Sequence, residues 1–192
     1  MPPRRSANKL EMRVKAFNSL LKLSFSRGKF VLASGKESEF YLDLKPSMFD
    51  PEGATLLAKL VLDRIKDLPV DYIGGLELGA VPIITAVAML SASRPRPIPG
   101  FFVRKVVKDH GTKKRIEGVD NLKGKSVVIL EDVTTTGGSA MQAVTAAKDA
   151  GANVALVLSI VDRGEGAEEF YKQQEIPFQS LFHMDEFIQA ST

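Results

Sequence analysis

The amino-acid sequence reads as an α/β protein: a parallel sheet with helices on both faces and a small N-terminal cap. Three observations carry this reading. From Val70 onward, short apolar runs alternate with helical patterns, as right-handed βαβ crossovers require. Two of those runs, Ser126–Leu130 and Asn153–Val161, are almost continuously apolar, the pattern of strands covered on both faces. The chain has 192 residues, 44% hydrophobic and 26% charged, an ordinary mixture for one domain with a full core.

The segments follow in order. Asn8–Ser24 sets Leu10, Val14, Phe17, Leu20 and Leu21 at amphipathic-helix spacing. Phe30–Leu44 holds two extended segments around Ser34-Gly35-Lys36, a hairpin. Pro51 opens a helix with Asp50 as N-cap and Glu52 in the first turn, and its apolar face runs through Leu56, Leu57, Leu60, Val61 and Ile65. Val70–Gly75 is a strand ending in Gly-Gly. Ala80–Ser91 is a helix with Pro82 in its first turn, where proline is tolerated. Gly100–Val103 is a short strand and Ser126–Leu130 the clearest one. Ser139–Ala150 is an Ala-rich helix stopped at Gly151. The strand Asn153–Val161, a helix Glu165–Gln173, a short strand Phe178–Phe182 and a last turn or helix from Asp185 complete the chain. The N-terminal helix and hairpin fall outside the alternation and form the cap.

Composition excludes several chemistries. With no Cys there are no disulfides, thiolate metal centres or thiol nucleophiles, and a reducing cytoplasm suits the chain. The two His, His110 and His183, show no metal-site spacing, and His183 sits in a Phe-rich tail as a structural residue. The longest apolar run, Val81–Leu90, is about half a membrane span, and no apolar stretch follows the basic Met1–Lys9, so neither a membrane anchor nor a signal peptide is expected. Net charge is +3 and the pI is about 9.1. Arg104, Lys105, Lys108, Lys113, Lys114 and Arg115 crowd into one short stretch against Asp109 alone. Such a cluster attracts phosphate, although a solvated charged loop would look the same.

The chemistry concentrates in Val127–Ser139. A buried strand ends in Glu131-Asp132, the loop Val133-Thr134-Thr135-Thr136-Gly137-Gly138 follows, and a helix begins near Ser139. Ligands of a parallel sheet bind beyond the carboxyl ends of its strands. Successive N–H groups at a helix start, with Gly allowing close approach, make an anion cradle, and the hydroxyls of Thr135, Thr136 and Ser139 can add donors. A phosphate repels carboxylates, so Glu131 and Asp132 face sugar hydroxyls or a hydrated divalent cation. A Walker B acid needs a Walker A partner, and Gly124-Lys125-Ser126 only imitates one: Gly118 precedes it by one residue too many, and it lies before a strand. No G-x-G-x-x-G occurs. On the residues alone, an ordinary capped βα turn remains open.

This segment closely resembles the phosphoribosyl diphosphate (PRPP) signature of type I phosphoribosyltransferases. Four more segments resemble those of the orotate phosphoribosyltransferases. Arg104-Lys105-Val106-Val107-Lys108-Asp109-His110-Gly111, continuing to Ile116-Glu117-Gly118, is similar to their mobile loop. Leu78-Gly79-Ala80-Val81-Pro82 is similar to their diphosphate-side turn, and Val161–Ala167, containing Arg163, to a pyrimidine-contacting turn. Phe30–Gly35 with Phe40-Tyr41 is similar to their hood hairpin. The resemblance implies a type I phosphoribosyltransferase-like parallel sheet flanked by helices under a small N-terminal hood. It implies one domain over residues 1–192, with the hood at about 8–45 plus C-terminal elements and the core at about 51–162.

The implied activity is transfer of the 5-phosphoribosyl group from PRPP to orotate, with Mg²⁺, giving orotidine 5′-monophosphate and diphosphate in pyrimidine biosynthesis. Thr134, Thr135, Thr136, Gly137, Gly138 and Ser139, with Val133 before them, would hold the 5′-phosphate. Glu131 and Asp132 would hold the ribose diol. Arg104, Lys105, Lys108 and His110 would meet the diphosphate. Lys108, His110 and Asp132 are the implied catalytic residues, and Thr135 and Arg163 the orotate contacts. The metal has no direct protein ligand and is held through PRPP and water. The implied assembly is a homodimer in which loop 104–115 completes the neighbouring site. Where one branch of the family has Lys, this chain has Ala33 and Gly79. The rival readings are a PRPP-sensing regulator that binds nucleic acid, which the lack of any helix–turn–helix or aromatic RNA-binding motif argues against, and a phosphoribosyltransferase for another base.

Overall fold

The computed structural model describes residues 4–31, 37–106 and 114–191, with backbone only for 4–7. The chain opens with helix α1 (Arg4–Leu23) and the strands β1 (Phe25–Val31) and β2 (Glu37–Leu42), which pair antiparallel. The expected hairpin is therefore present, although its turn lies outside the described residues. Then come α2 (Lys45–Phe49), α3 (Pro51–Arg64), β3 (Tyr72–Gly74), α4 (Val81–Ser91), β4 (Phe102–Val103) and β5 (Ile116–Glu117). The chain closes with β6 (Ser126–Thr134), α5 (Gly138–Asp149), β7 (Asn153–Asp162), α6 (Ala167–Gln173), β8 (Phe178–His183) and α7 (Met184–Ala190).

The main sheet runs β3-β6-β7-β8, every pair parallel. Parallel bridges Ile73–Gly100 and Leu76–Val103 lay residues 100–103 along the other edge of β3. The chain thus winds outward from β3 through α4 to β4, then returns to the opposite side of β3 and winds the other way through β6, β7 and β8. The reversal makes a topological switch point between β3 and β6, where an open α/β sheet forms its crevice.

Side-chain alternation divides the core in two. Val128, Leu130, Leu156, Leu158 and Ile160 pack with Leu57 and Val61 of α3, Ile83 and Val87 of α4, Leu20 of α1 and Phe187 of α7. Val127, Ile129, Val154 and Val157 pack with Ala143, Val144 and Ala147 of α5 and Tyr171 of α6. The N-terminal helix α1 is tied down by Lys9–Asp63 (2.6 Å) and Arg13–Glu186 (2.7 Å), while the Phe17 ring packs tilted against Phe187 with centroids 4.8 Å apart. His183 is exposed, and its backbone N–H donates to Glu186 Oε1 at the start of α7. Among the described residues no helix is long and apolar enough to cross a membrane.

Among the differences from expectation, three have plain physical reasons. Strand β6 does not stop at Leu130 but runs to Thr134, because Glu131 to Thr134 keep their ladder with β7 (Glu131–Ser159, Thr134–Asp162). The acids break the apolar pattern without breaking the strand. Helix α2 is not predicted by the sequence, since five residues with Pro46 in the first turn leave no periodicity to see. Helix α6 begins at Ala167 rather than Glu165, behind the left-handed Gly166.

Candidate active site

At the carboxyl end of β6 the alternation of strand side chains separates two neighbours. Glu131 falls on the face of Val127 and Ile129, and Asp132 on the face of Val128 and Leu130. Glu131 is 8% exposed. Burial first, and the negative charge of Asp132 second, push its carboxyl up to about 8, against a smaller pull from Lys105. Glu131 Oε2 and Thr134 Oγ1 are buried with no hydrogen-bond partner among the described residues. Buried polar atoms of this kind cost free energy unless something arrives to meet them.

Glu131, Val133 and the run Thr134–Ser139 line one cavity of about 380 Å³. Helix α5 starts at its rim. Its N-cap is Gly137, with φ +92° and no side-chain cap, unlike α3, whose first turn receives the Asp50 carboxylate at Gly53 N–H (2.8 Å). The leading N–H groups of α5 are therefore left for an anion. Gly137 is needed for two reasons. Its φ is left-handed, and a Cβ there would stand 2.8 Å from the Phe170 ring. Tyr171, fully buried, donates its hydroxyl to Gly137 O at 2.7 Å and so fixes the loop from α6. Burial, and then Glu131, push that phenol upward.

Asp132 looks across the crevice at the turn that follows β3. A Cβ on Gly79 would lie 2.7 Å from both Asp132 carboxylate oxygens, so the turn and this acid approach each other closely. The Glu77–Leu78 peptide just before it is cis. Glu77 receives the Lys105 N–H (3.0 Å) and stands 4.0 Å from the Arg104 guanidinium, whose Nε lies 3.0 Å from Glu117 Oε1. Arg104 is thus held by two carboxylates, whereas the Lys105 side chain is exposed.

Arg163 enters from the end of β7. Its N–H donates to Thr134 O (2.9 Å), which links it to the loop Thr134–Ser139. Its side chain is 19% exposed. Nε lies 2.9 Å from Glu165 Oε1, an ion pair whose N–H direction misses the oxygen and leaves Nε without a hydrogen-bond partner. Asp162, 4% exposed, accepts the Gly164 N–H at 2.9 Å and shapes this turn.

The expected residues Glu131, Val133, Thr134, Thr135, Thr136, Gly137, Gly138 and Ser139 are thus brought together, with Asp132 and Arg163 adjoining. Lys108 and His110 lie outside the described residues. Sequence reasoning missed Glu77, Asp162 and Tyr171. Their roles arise from contacts far along the chain, and only the Gly-rich turn after Asp162 offered a local signal.

The profile of the phosphoribosyl transferase domain matches residues 49–189. The orotate phosphoribosyltransferase of Bradyrhizobium diazoefficiens is 51% identical over 186 residues, 95% of this chain and 100% of that protein. Among solved structures, the Mycobacterium tuberculosis H37Rv orotate phosphoribosyltransferase in complex with Fe(III) dicitrate superposes with a TM-score of 0.81. It is 34% identical over 92% of this chain and 98% of that one. The complex of the same enzyme with PRPP gives 0.77 at 32% identity, with the same coverage of each chain. Similar across nearly its whole length to proteins of one activity, and carrying an uncapped helix start and paired acids at the switch point of its sheet, the chain belongs to the orotate phosphoribosyltransferase family of type I phosphoribosyltransferases.

Proposed function

We infer that the protein transfers the 5-phosphoribosyl group of PRPP to orotate, giving orotidine 5′-monophosphate and diphosphate, a step of pyrimidine biosynthesis. The observation that carries the residue roles is the uncapped start of α5, which opens into a cavity shared with the buried, unpartnered Oε2 of Glu131. A phosphate suits the N–H groups, and a ribose hydroxyl suits the carboxyl, so the two ends of one phosphorylated sugar are accounted for.

The 5′-phosphate sits on Thr134–Ser139. The ribose diol lies against Glu131 and Asp132, which meet it from opposite faces of the sheet end. Arg104 and Lys105, with Lys108 and His110 from the neighbouring subunit of a homodimer, face the diphosphate. Orotate lies against Thr135 and Arg163, whose planar fork suits carboxylate and carbonyl oxygens. No covalent nucleophile is needed. As the ribose–diphosphate bond breaks, C1′ becomes oxocarbenium-like and negative charge gathers on the leaving oxygens, where fixed cations stabilise it. Closure of loop 104–115 excludes water from the activated sugar.

Among the described residues no three His, Asp or Glu side chains converge as a metal cage. A Mg²⁺ here would take its ligands mainly from PRPP and water, with Glu131 and Asp132 facing it only through water. When bound, Mg²⁺ neutralises the developing charge of the leaving group. The same reading holds the chain as one cytoplasmic domain, with a hood of residues about 8–45 plus C-terminal elements over a core of about 51–162.

The test mixes protein, Mg²⁺ and PRPP with orotate, uracil, adenine, hypoxanthine or xanthine in turn, and follows base loss and diphosphate release. Turnover with orotate alone is expected. Preference for another base overturns the substrate assignment, and no turnover with any base overturns the enzyme reading.

A further inference from the structure

We propose that Lys45 is a substrate-binding residue of this site, reaching from the hood end of the crevice to the diphosphate of PRPP opposite Arg104 and Lys105. The proposal rests on the function inferred above and adds a cation to it.

Helix α2 begins at Lys45, directly after the hood strand β2. Its neighbours Leu44 and Met48 are buried, 0% and 4% exposed, so its backbone is fixed, while its own side chain is 50% exposed. Lys45 lines a cavity of about 380 Å³ together with Leu78, Val81 and Pro82, the turn after β3 and the first turn of α4. That turn contains Gly79, which has no side chain and lies against the Asp132 carboxylate. The turn therefore brings backbone but no charge to the crevice, and a cation on this side must come from elsewhere.

Lys45 stands where it can supply one. Its Nζ is 2.9 Å from Asp43 Oδ1, which also accepts its backbone N–H at 3.1 Å. The hydrogen bond to Asp43 comes first in holding the ammonium above its ordinary value. The charge of Asp132 adds to it, so the ammonium is within electrostatic reach of the acid at the crevice. Asp43 thus keeps the cation at the mouth until a more highly charged anion competes for it. The other described cations are unequal to the task alone: Arg104 is engaged by Glu77 and Glu117, leaving Lys105 as the exposed partner. A diphosphate carries several negative charges and gains most from cations on both sides.

The experiment has two arms. In steady-state kinetics, Lys45→Met raises the KM for PRPP about tenfold and leaves that for orotate within about twofold, while Lys45→Arg returns the PRPP value to within about threefold of wild type. In the wild-type chain, mass spectrometry follows acylation of lysines by an activated ester with and without Mg²⁺-diphosphate. Protection of Lys45 by about fivefold or more is expected, with the exposed Lys59 of α3 unchanged. An unaltered PRPP constant in folded Lys45→Met, equal losses for both substrates, or equal labelling of Lys45 with and without diphosphate overturns the proposal. The labelling arm needs no variant to fold and no turnover. An inactive wild type therefore sinks the enzyme reading while diphosphate protection still decides Lys45.

Discussion

Glu131 is the most displaced carboxyl described in the chain, and it ties the site to stability. Folded, it keeps its proton to about pH 8; unfolded, it titrates near the ordinary 4.5. Between those values the unfolded chain binds fewer protons, so stability of the ligand-free protein falls as pH rises through that window and levels off above it. Glu131→Gln removes the slope. Its melting temperature should match wild type near about pH 5 and exceed it near about pH 9, and parallel curves would show the carboxyl to be solvated. Two glycines of the loop separate binding from folding. Gly137→Val meets both a left-handed φ and the Phe170 ring, and should cost more than about 2 kcal/mol. Gly138→Ala has no protein atom within 4 Å of the new Cβ, so stability should hold while the KM for PRPP rises several-fold. An unchanged PRPP constant in Gly138→Ala would remove Gly138 from the cradle. Arg163→Ala should weaken orotate far more than PRPP, and equal losses would make Arg163 a structural link to Thr134.

Helix α3 shows what an ordinary cap does in the same protein. Asp50→Ala should lower stability by about 1 kcal/mol in a denaturant titration and leave both substrate constants alone. Its cap was legible in sequence because Asp-Pro-Glu states the local chemistry outright. The strands β6 and β7 were legible for a similar reason: buried on both faces, they have nothing polar to alternate with. What escaped was non-local. The Lys105 N–H finds Glu77 across 28 positions, and the Tyr171 hydroxyl finds Gly137 across 34. No pattern in either stretch announces the other. That Thr134–Ser139 would line one cavity was readable because the loop is a run of consecutive residues between a strand and a helix. The separation of Glu131 from Asp132 onto two faces was not, since it depends on the strand running to Thr134.

Assembly decides who owns the loop 104–115. At roughly 3.3 Å per residue it is long enough to cross a subunit boundary. If it serves the neighbour, an inactive Lys108→Ala chain mixed with an inactive Asp132→Asn chain forms hybrids with one intact site and one doubly defective site. Random exchange makes half the dimers hybrid, so activity should recover to about a quarter of wild type. No recovery, with exchange confirmed independently, means each loop serves its own subunit. The opposed acids of β6 have a further consequence, for the gene. Because successive side chains point to opposite sides, inserting one codon between Leu130 and Glu131 would send Glu131 to the face that Asp132 now occupies and Asp132 to the other. A residue added in a loop between strands leaves that facing intact, whereas one added just ahead of the acids inverts it.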